Sequence, residues 1–318
     1  MEQLKEIAEN RRNRRQAAYG LTFSVGILAV VVFLAPHQDT KNAIAIPSVA
    51  MPDSFANVAI EGHAAIVYDV TTGHTLYAYN ADAQLPLASL TKLLTLYAAS
   101  KVLSPSATIA ITPQALAQTG DAGDNFALGE QFTFDSLARF TLVSSSNQGA
   151  EAIAEAAAAA QNTTGANMLA GAAVAAGLSH TYAVNGTGLD ESTTTSGGYG
   201  SARDIALLAG QFLSQAPALA SATTKSAVTV TDVSGIVHYA ANTDVNVGTF
   251  PRLLLSKTGN TDLAGGNLAI VFDAGVNHPV AIVVLGSSQK GRFSDVQSLM
   301  DATLEHFALA GTLATTTR

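Results

Sequence analysis

No cysteine occurs among the 318 residues of this sequence, and charged residues make up only 13% of it. The missing cysteine excludes disulfide bonds, thiolate catalysis and cysteine-ligated zinc. The seven histidines are scattered without an H-E-x-x-H pattern. Asp121, Asp124 and Glu130 lack the spacing of a calcium-binding EF-hand. The sequence therefore predicts neither a metal site nor a cofactor.

The few charges are unevenly distributed along the chain. The formal net charge is −8, but five basic and three acidic residues give residues 1–18 a charge of +2, which leaves −10 for the rest. Nucleic-acid-binding proteins need clustered lysine and arginine to neutralise phosphates, so the acidic body argues against a nucleic-acid partner. Hydrophobic residues make up 48% of the chain, which indicates a folded protein.

One uncharged, mostly apolar run extends from residue 17 to residue 35, directly after the basic cluster at 11–15. Its length approaches the ~20 residues that a helix needs to cross the hydrocarbon core of a membrane. Because basic residues before such a run stay in the cytoplasm, we expect the rest of the chain on the extracytoplasmic face of the cell envelope. The run is interpreted as a single-pass membrane anchor or as a cleaved signal sequence, for which Ala43–Ala45 is a candidate cleavage site.

Composition and patterning divide the chain into four predicted segments. These are a cytoplasmic basic segment (1–18), a transmembrane anchor or signal sequence (19–36), a proline-containing linker (37–57) and a folded domain (58–318).

Within the folded domain, strands are predicted near both ends and helices between them. An amphipathic helix is expected from near Ser89, helices in the alanine-rich middle, and a final helix over 294–309. The predicted strands are 64–70, 75–79, 253–256, 267–272 and 280–285. We therefore predict an α/β (α+β) fold, in which one antiparallel sheet built from both ends of the chain is flanked by helices and carries an inserted helical subdomain.

Three short motifs occur in order along this domain. They are Ser89-Leu90-Thr91-Lys92, Ser145-Ser146-Asn147 and Lys257-Thr258-Gly259. The order S-x-x-K, S-x-N, K-T-G is typical of penicillin-binding proteins and class A β-lactamases. Each motif alone is weak evidence, since a second S-x-x-K occurs at Ser287–Lys290. That second match follows a predicted strand, whereas Ser89 opens a predicted helix.

The first motif has a physical explanation that needs no family. A serine hydroxyl is a poor nucleophile until a neighbouring base takes its proton. Lys92 lies three residues after Ser89, on nearly the same helix face, so its amine can reach the hydroxyl. A second cation such as Lys257 would lower the pKa of that amine and suit it to act as a base.

From Ala64 to Phe307 the chain also resembles the D-alanyl-D-alanine carboxypeptidase family of low-molecular-mass penicillin-binding proteins. The resemblance implies a β-lactamase/transpeptidase-like fold and makes 58–318 a penicillin-binding carboxypeptidase catalytic domain. It further implies a peptidoglycan stem peptide as substrate, with loss of the terminal D-alanine, and β-lactams as covalent inhibitors. The segments that carry it are Leu87–Thr95, Gly188–Asp190, Ser201–Asp204, Lys257–Thr261 with Ala264–Gly265, and Gly291–Phe293.

The resemblance also implies roles for individual residues. Ser89 would be the acylated nucleophile, Lys92 its base, and Ser145 the relay that passes a proton to the leaving D-alanine. Backbone N–H groups of Ser89 and Asn260 would form the oxyanion hole. The substrate-binding residues would be Asn147 for the substrate amide, Lys257, Thr258 and Arg292 for its terminal carboxylate, and Gly259 and Asn260 beside them.

Two positions depart from the family pattern. Gln148 stands where the family usually has aspartate, and Thr243 lies in the segment where many members carry an extra arginine.

Three other functions are compatible with the three motifs in this order. A DD-endopeptidase of peptidoglycan cross-links would use the same site. A class A-like β-lactamase needs a glutamate with an asparagine four residues later, whereas Glu191 is followed by Thr195. A non-catalytic penicillin-binding sensor would not turn over its acyl-enzyme.

Overall fold

The structure, a computed structural model, describes residues 52–119 and 126–316. Its main sheet has five strands, all antiparallel, in the order β10-β11-β12-β1-β2. The first and last strands of the described domain meet where β1 pairs with β12, with Ala64 opposite Leu285 and Asp69 opposite Val280. The predicted sheet built from both ends of the chain is thereby confirmed. Its strands are β1 (Ala64–Asp69), β2 (Thr75–Tyr79), β10 (Leu253–Thr261), β11 (Gly265–Asp273) and β12 (Pro279–Ser287).

Both faces of the sheet are covered, and alternate residues of each strand enter two different cores. In β1, Ala65 and Val67 pack with the final helix, whereas Ala64 and Ile66 pack with the helices on the opposite face. This follows from the two-residue period of a strand, which sends successive side chains to opposite faces. Strands that are apolar at every position, as in Val280–Leu285, are therefore buried on both sides.

The chain between the two halves of the sheet is mainly helical, as the sequence predicts. The glycine- and threonine-rich segment 185–200 ends in a short strand that pairs with two others. The helices are α1 (Thr91–Ser100), α2 (Pro113–Leu116), α3 (Phe134–Ser144), α4 (Asn147–Ala160), α5 (Gly165–Ala175), α6 (Ala202–Gln215) and α7 (Pro217–Ala222). The short strands are β3 (Leu85–Pro86), β4 (Thr108–Ala110), β5 (Gln131–Thr133), β6 (Tyr182–Ala183), β7 (Gly198–Gly200), β8 (Ala227–Thr231) and β9 (Val237–Ala241).

Helix α1 differs from the prediction in two ways. Its residues from Thr91 to Ala99 are all buried, so it is a central helix and not an amphipathic one. It packs against α4, α5 and α6, and a helix enclosed by neighbours has no solvent face to keep polar. Ser89 does not open the α-helix, because it lies in a preceding 3-10 turn, Ala88–Leu90. The S-x-x-K motif therefore spans the junction between the turn and the helix.

The final helix, α8, extends over Gly291–Thr316 and is longer than predicted. Val296, Leu299 and Met300 are buried against the sheet. Its early start places Arg292 within the first turn of the helix. No helix in the described ranges is long and apolar enough to span a membrane. The predicted anchor or signal sequence at 19–36 lies outside those ranges.

Candidate active site

All three motifs meet in a cleft of about 540 Å³. The edge strand β10 forms one wall, and the 3-10 turn and the junction between α3 and α4 contribute the serines. The predicted site residues that line the cleft are Ser89, Ser145, Asn147, Thr258, Gly259, Asn260 and Arg292. The other two, Lys92 and Lys257, are fully buried beside it. Tertiary packing thus brings together every site residue that the sequence predicts.

Lys92 is held in position to act on the hydroxyl of Ser89. Its Nζ lies 2.8 Å from Ser89 Oγ, and it also donates to Asn147 Oδ1 and to the carbonyl of Thr187, each at 2.8 Å. A neutral amine has two hydrogens and one lone pair. The two carbonyl-type oxygens can accept both hydrogens, which leaves the lone pair to face the hydroxyl of Ser89. The geometry suits a general base.

Lys257 forms a second lysine–serine pair with Ser145. Its Nζ donates to Ser145 Oγ at 2.8 Å and to the carbonyl of Thr258 at 2.9 Å. Burial, together with the positive charges of Lys92 and Arg292, holds the pKa of Lys257 well below its usual 10.5. The sequence predicts the converse effect, in which Lys257 lowers the pKa of Lys92, and that effect stays a prediction.

Ser145 adopts a strained backbone conformation at the end of α3. Its φ of 62° lies in the left-handed region, which residues other than glycine seldom adopt. Such strain persists where the surrounding structure fixes it and is found most often at functional sites. The left-handed conformation of Ser145 ends α3 and turns the chain into α4, so that Ser145 and Asn147 both line the cleft.

Asn147 is engaged with the protein at both ends of its side-chain amide. Oδ1 accepts from Lys92, and Nδ2 donates to the carbonyl of Thr119 at 3.2 Å. The contact with Lys92 gives Asn147 a task that the sequence does not reveal, since it helps to orient the base. The predicted contact between Asn147 and the substrate amide stays a prediction.

Gly259 is required by the protein itself. A Cβ atom on Gly259 would lie 2.8 Å from the carbonyl oxygen of Leu87 and 3.2 Å from the backbone nitrogen of Ser89. The structure thus shows that the turn carrying the nucleophile approaches this glycine closely. The contact places the backbone of β10 next to that of Ser89, which is the arrangement that the predicted oxyanion hole requires.

Arg292 extends from the first turn of α8 to the end of β10. Its Nη1 donates to the carbonyl of Gly259 at 2.7 Å, and burial lowers the pKa of the guanidinium. Its Nε, also buried, has no hydrogen-bond partner among the described residues. Asp295 accepts from the backbone of Glu61 and from Ser287 Oγ, and no ion pair joins it to Arg292 in the described ranges.

The model of peptidase family S11, described as D-alanyl-D-alanine carboxypeptidase, matches residues 50–289. This chain belongs to the D-alanyl-D-alanine carboxypeptidase family. Membership confirms the predicted family. It also confirms that the chain is a serine-type D-Ala-D-Ala carboxypeptidase, an enzyme of the cell envelope.

Solved structures with the same fold confirm the β-lactamase/transpeptidase-like architecture. Penicillin-binding protein D2 of Listeria monocytogenes, solved in an ampicillin-bound form, is 26% identical; the match covers 78% of this chain and 98% of that one, with a TM-score of 0.64. The D-alanyl-D-alanine carboxypeptidase DacD of Francisella tularensis is 23% identical over 84% of this chain and 76% of its own, with a TM-score of 0.69. The S216A mutant of the Streptomyces K15 DD-transpeptidase is 20% identical. The match covers 78% of this chain and 99% of that one, with a TM-score of 0.68.

Another segment that resembles the carboxypeptidase family, Gly188–Asp190, borders the cleft, and Asp190 is one of the residues that line it. Asp190 accepts from Thr261 Oγ1 at 3.0 Å and from the backbone of Leu263 at 3.2 Å, so it fixes the turn after β10. Thr187, whose carbonyl binds Lys92, is missed by sequence reasoning. A backbone carbonyl leaves no trace in residue type, and the adjacent Gly188–Asp190 segment was the available signal.

Proposed function

We propose that the chain removes the terminal D-alanine from peptidoglycan stem peptides through an acyl-enzyme on Ser89. The observation that carries the proposal is the convergence of two lysine–serine pairs, Lys92–Ser89 and Lys257–Ser145, on one cleft. One pair serves to activate a nucleophile, and the other lies where a leaving group needs a proton.

In the acylation step, Lys92 takes the proton of Ser89 as the serine oxygen attacks the carbonyl carbon of the penultimate D-alanine. The negative charge of the tetrahedral intermediate faces the backbone N–H groups of Ser89 and Asn260. The carbon–nitrogen bond then breaks as Ser145, hydrogen-bonded to the Lys257 ammonium, relays to the leaving amine the proton that Lys92 took from Ser89, so that Lys92 is again neutral and Ser145 again a hydroxyl. A water molecule then attacks the ester carbonyl. Lys92 accepts its proton and returns it to the oxygen of Ser89 as the ester bond breaks.

At the far end of the substrate, Lys257, Thr258 and Arg292 provide donors for the terminal carboxylate. Thr258 and Arg292 line the cleft, and Lys257 is buried beside it. Hydrogen bonds from such donors to a charged group are stronger than those to a neutral group. This arrangement supports a carboxypeptidase, whose substrate ends in a free carboxylate at that point.

A class A-like β-lactamase finds less support. Its deacylation needs a glutamate in the cleft. Glu191 accepts from Asn185 Nδ2 and is not among the residues that line the cleft.

The nucleophile can be identified with a labelled penicillin. Attack on the β-lactam carbonyl opens the ring and leaves the label as an ester on the serine, so peptide mapping should find the adduct on Ser89. Ser89→Ala should abolish labelling and remain folded, because the change removes one hydrogen bond worth about 1 kcal/mol. Ser287→Ala, at the second S-x-x-K match, is the control and should label normally. An adduct on another serine would contradict the assignment.

We further propose that residues 19–36 anchor the protein in the cytoplasmic membrane with the catalytic domain outside. The basic cluster before an apolar run of nearly membrane-spanning length supports this topology. A reporter that works only outside the membrane, fused after Arg318, should be active. Release of the domain into the medium would favour a cleaved signal sequence, whereas a reporter that is active only in the cytoplasm would exclude both forms of export.

A further inference from the structure

Residues 242–246, which follow β9, are bonded to strand β10 on both sides of Lys257. Thr243 Oγ1 lies 2.6 Å from Thr258 Oγ1, and Ser256 Oγ donates to Asp244 Oδ2 at 2.5 Å. The two contacts therefore hold the neighbours of Lys257 before and after it in the chain. We call residues 242–246 the clamp.

Asp244 is the most deeply buried residue of the clamp, with 1% of its surface exposed. Its Oδ1 accepts from the backbone of Asn246, and its own N–H donates to Asn242 Oδ1, both at 2.8 Å. A buried carboxylate is costly unless hydrogen bonds or cations compensate it. This aspartate belongs to none of the three sequence motifs, and nothing in the acylation step uses it.

Three basic side chains of the cleft are also buried. Lys92, Lys257 and Arg292 are 0%, 1% and 6% exposed, respectively. Like charges at such sites repel each other with little screening by solvent. A group of opposite charge nearby is therefore needed to keep Lys257 protonated and the pocket able to bind an anion.

Asp244 is such a group. The charged residues that act on Lys257 are Lys92, Arg292 and Asp244, and among them Asp244 alone favours the protonated lysine. It also favours the charged form of Arg292. Burial raises the pKa of Asp244, while Ser256, Asn246 and the two cations oppose that rise.

We propose that Asp244 is a positioning residue, which fixes the Lys257 segment of β10 through Ser256 and supplies the buried negative charge that keeps the carboxylate-binding end of the cleft cationic. The inference deepens the proposed function and rests on it. A purely structural role for the clamp would predict a loss of stability, but no change in the pH at which the cleft loses its charge.

The test is the pH profile of kcat/KM for a peptide that ends in D-Ala-D-Ala. In Asp244→Asn the side chain keeps nearly the same shape and loses its charge. Lys257 should then lose its proton at lower pH, so the alkaline limb of the profile should move down by on the order of one pH unit. Ser256→Ala removes the hydrogen bond and retains the charge, and its alkaline limb should stay near that of the wild type.

Asp295→Asn is the matched control. Asp295 is another buried, hydrogen-bonded aspartate, three residues after Arg292, and it accepts from Ser287 and from the backbone of Gly62. The alkaline limb of the pH profile of Asp295→Asn should coincide with that of the wild type. If Asp244→Asn does not fold, Asp244→Ser carries the same expectation.

Coincident alkaline limbs in folded Asp244→Asn and wild type would overturn the inference. The labelling of Ser89 separates this outcome from failure of the proposed function. If the wild type is labelled at Ser89 but the alkaline limbs coincide, only the proposed role of Asp244 is wrong. If the wild type is not labelled at Ser89, the proposed function itself is wrong.

Discussion

The ammonium group of Lys257 lies 2.8 Å from the hydroxyl of Ser145, although 112 positions separate the two residues in the chain. Ser145 belongs to the helical part of the molecule and Lys257 to the edge strand of the sheet. Both Ser145 and the nucleophile Ser89 line the same cleft. The site is therefore assembled between the sheet and the inserted helices, and each part supplies one half of the second pair.

Replacement of Lys92 by methionine should abolish most of the acylation. Methionine retains much of the length of the side chain and removes the base, so we expect acylation by a labelled penicillin to fall by about 10²- to 10⁴-fold. Non-covalent binding, measured before acylation, should change little. Lys101→Met is the control, because Lys101 follows the same helix and bonds the hydroxyl of Tyr97, away from the cleft. Acylation of Lys92→Met within a few-fold of wild type would show that another group accepts the proton.

Replacement of Arg292 by alanine should reduce the preference for a free chain end. Wild type should hydrolyse a peptide ending in D-Ala-D-Ala much faster than its carboxy-terminal amide. A hydrogen bond to a charged group contributes about 1.5–3 kcal/mol, so the variant should lose roughly 10- to 100-fold of that preference. Arg139→Ala, which breaks a surface ion pair with Asp135, should leave the preference for the free acid unchanged. Equal hydrolysis of acid and amide by the wild type would favour the endopeptidase.

The buried Lys257 predicts opposite trends of stability and activity at alkaline pH. Its pKa in the folded protein lies well below 10.5, mainly because it is buried. Between the folded pKa and the unfolded value the unfolded chain binds more protons, so the free energy of unfolding rises with pH. Over the same interval activity should fall, because the carboxylate-binding end loses charge. When both proteins are unfolded by urea across this pH range, Lys257→Met should lack the rise in the free energy of unfolding. If the free energies of unfolding of the two proteins change in parallel with pH, the prediction is wrong.

A methyl group at position 259 should disturb both the strand and the nucleophile. The Cβ atom of Gly259→Ala would lie 2.8 Å from the Leu87 carbonyl, so β10 and the 3-10 turn must separate. Overpacking of this kind costs about 1–3 kcal/mol. Acylation should slow together with the loss of stability measured by urea unfolding. Gly171→Ala, on an open helix surface, should leave both measurements close to wild type. Normal stability and acylation in Gly259→Ala would show that the close approach is unimportant.

Local chemistry explains what the sequence predicts well. The three-residue spacing of Ser89 and Lys92 brings the base to the nucleophile through a single turn of the chain, whatever surrounds it. Strand periodicity likewise predicts β1, β11 and β12, and Gly73, with a φ of 76°, allows the tight turn between β1 and β2. These features depend on neighbours within a few residues, so residue type and spacing determine them.

Contacts between distant segments were decided by the tertiary structure. Sequence patterning makes α1 amphipathic, yet the sheet-covering helices enclose it on all sides. The close approach of Gly259 to the turn before α1, the use of the Thr187 carbonyl by Lys92 and the clamp around Lys257 likewise join parts of the chain far apart in sequence. These contacts are made by backbone atoms and by buried side chains. Residue identity therefore determined which groups perform the chemistry, whereas packing decided their charge states and their positions, because both depend on what surrounds a group in space.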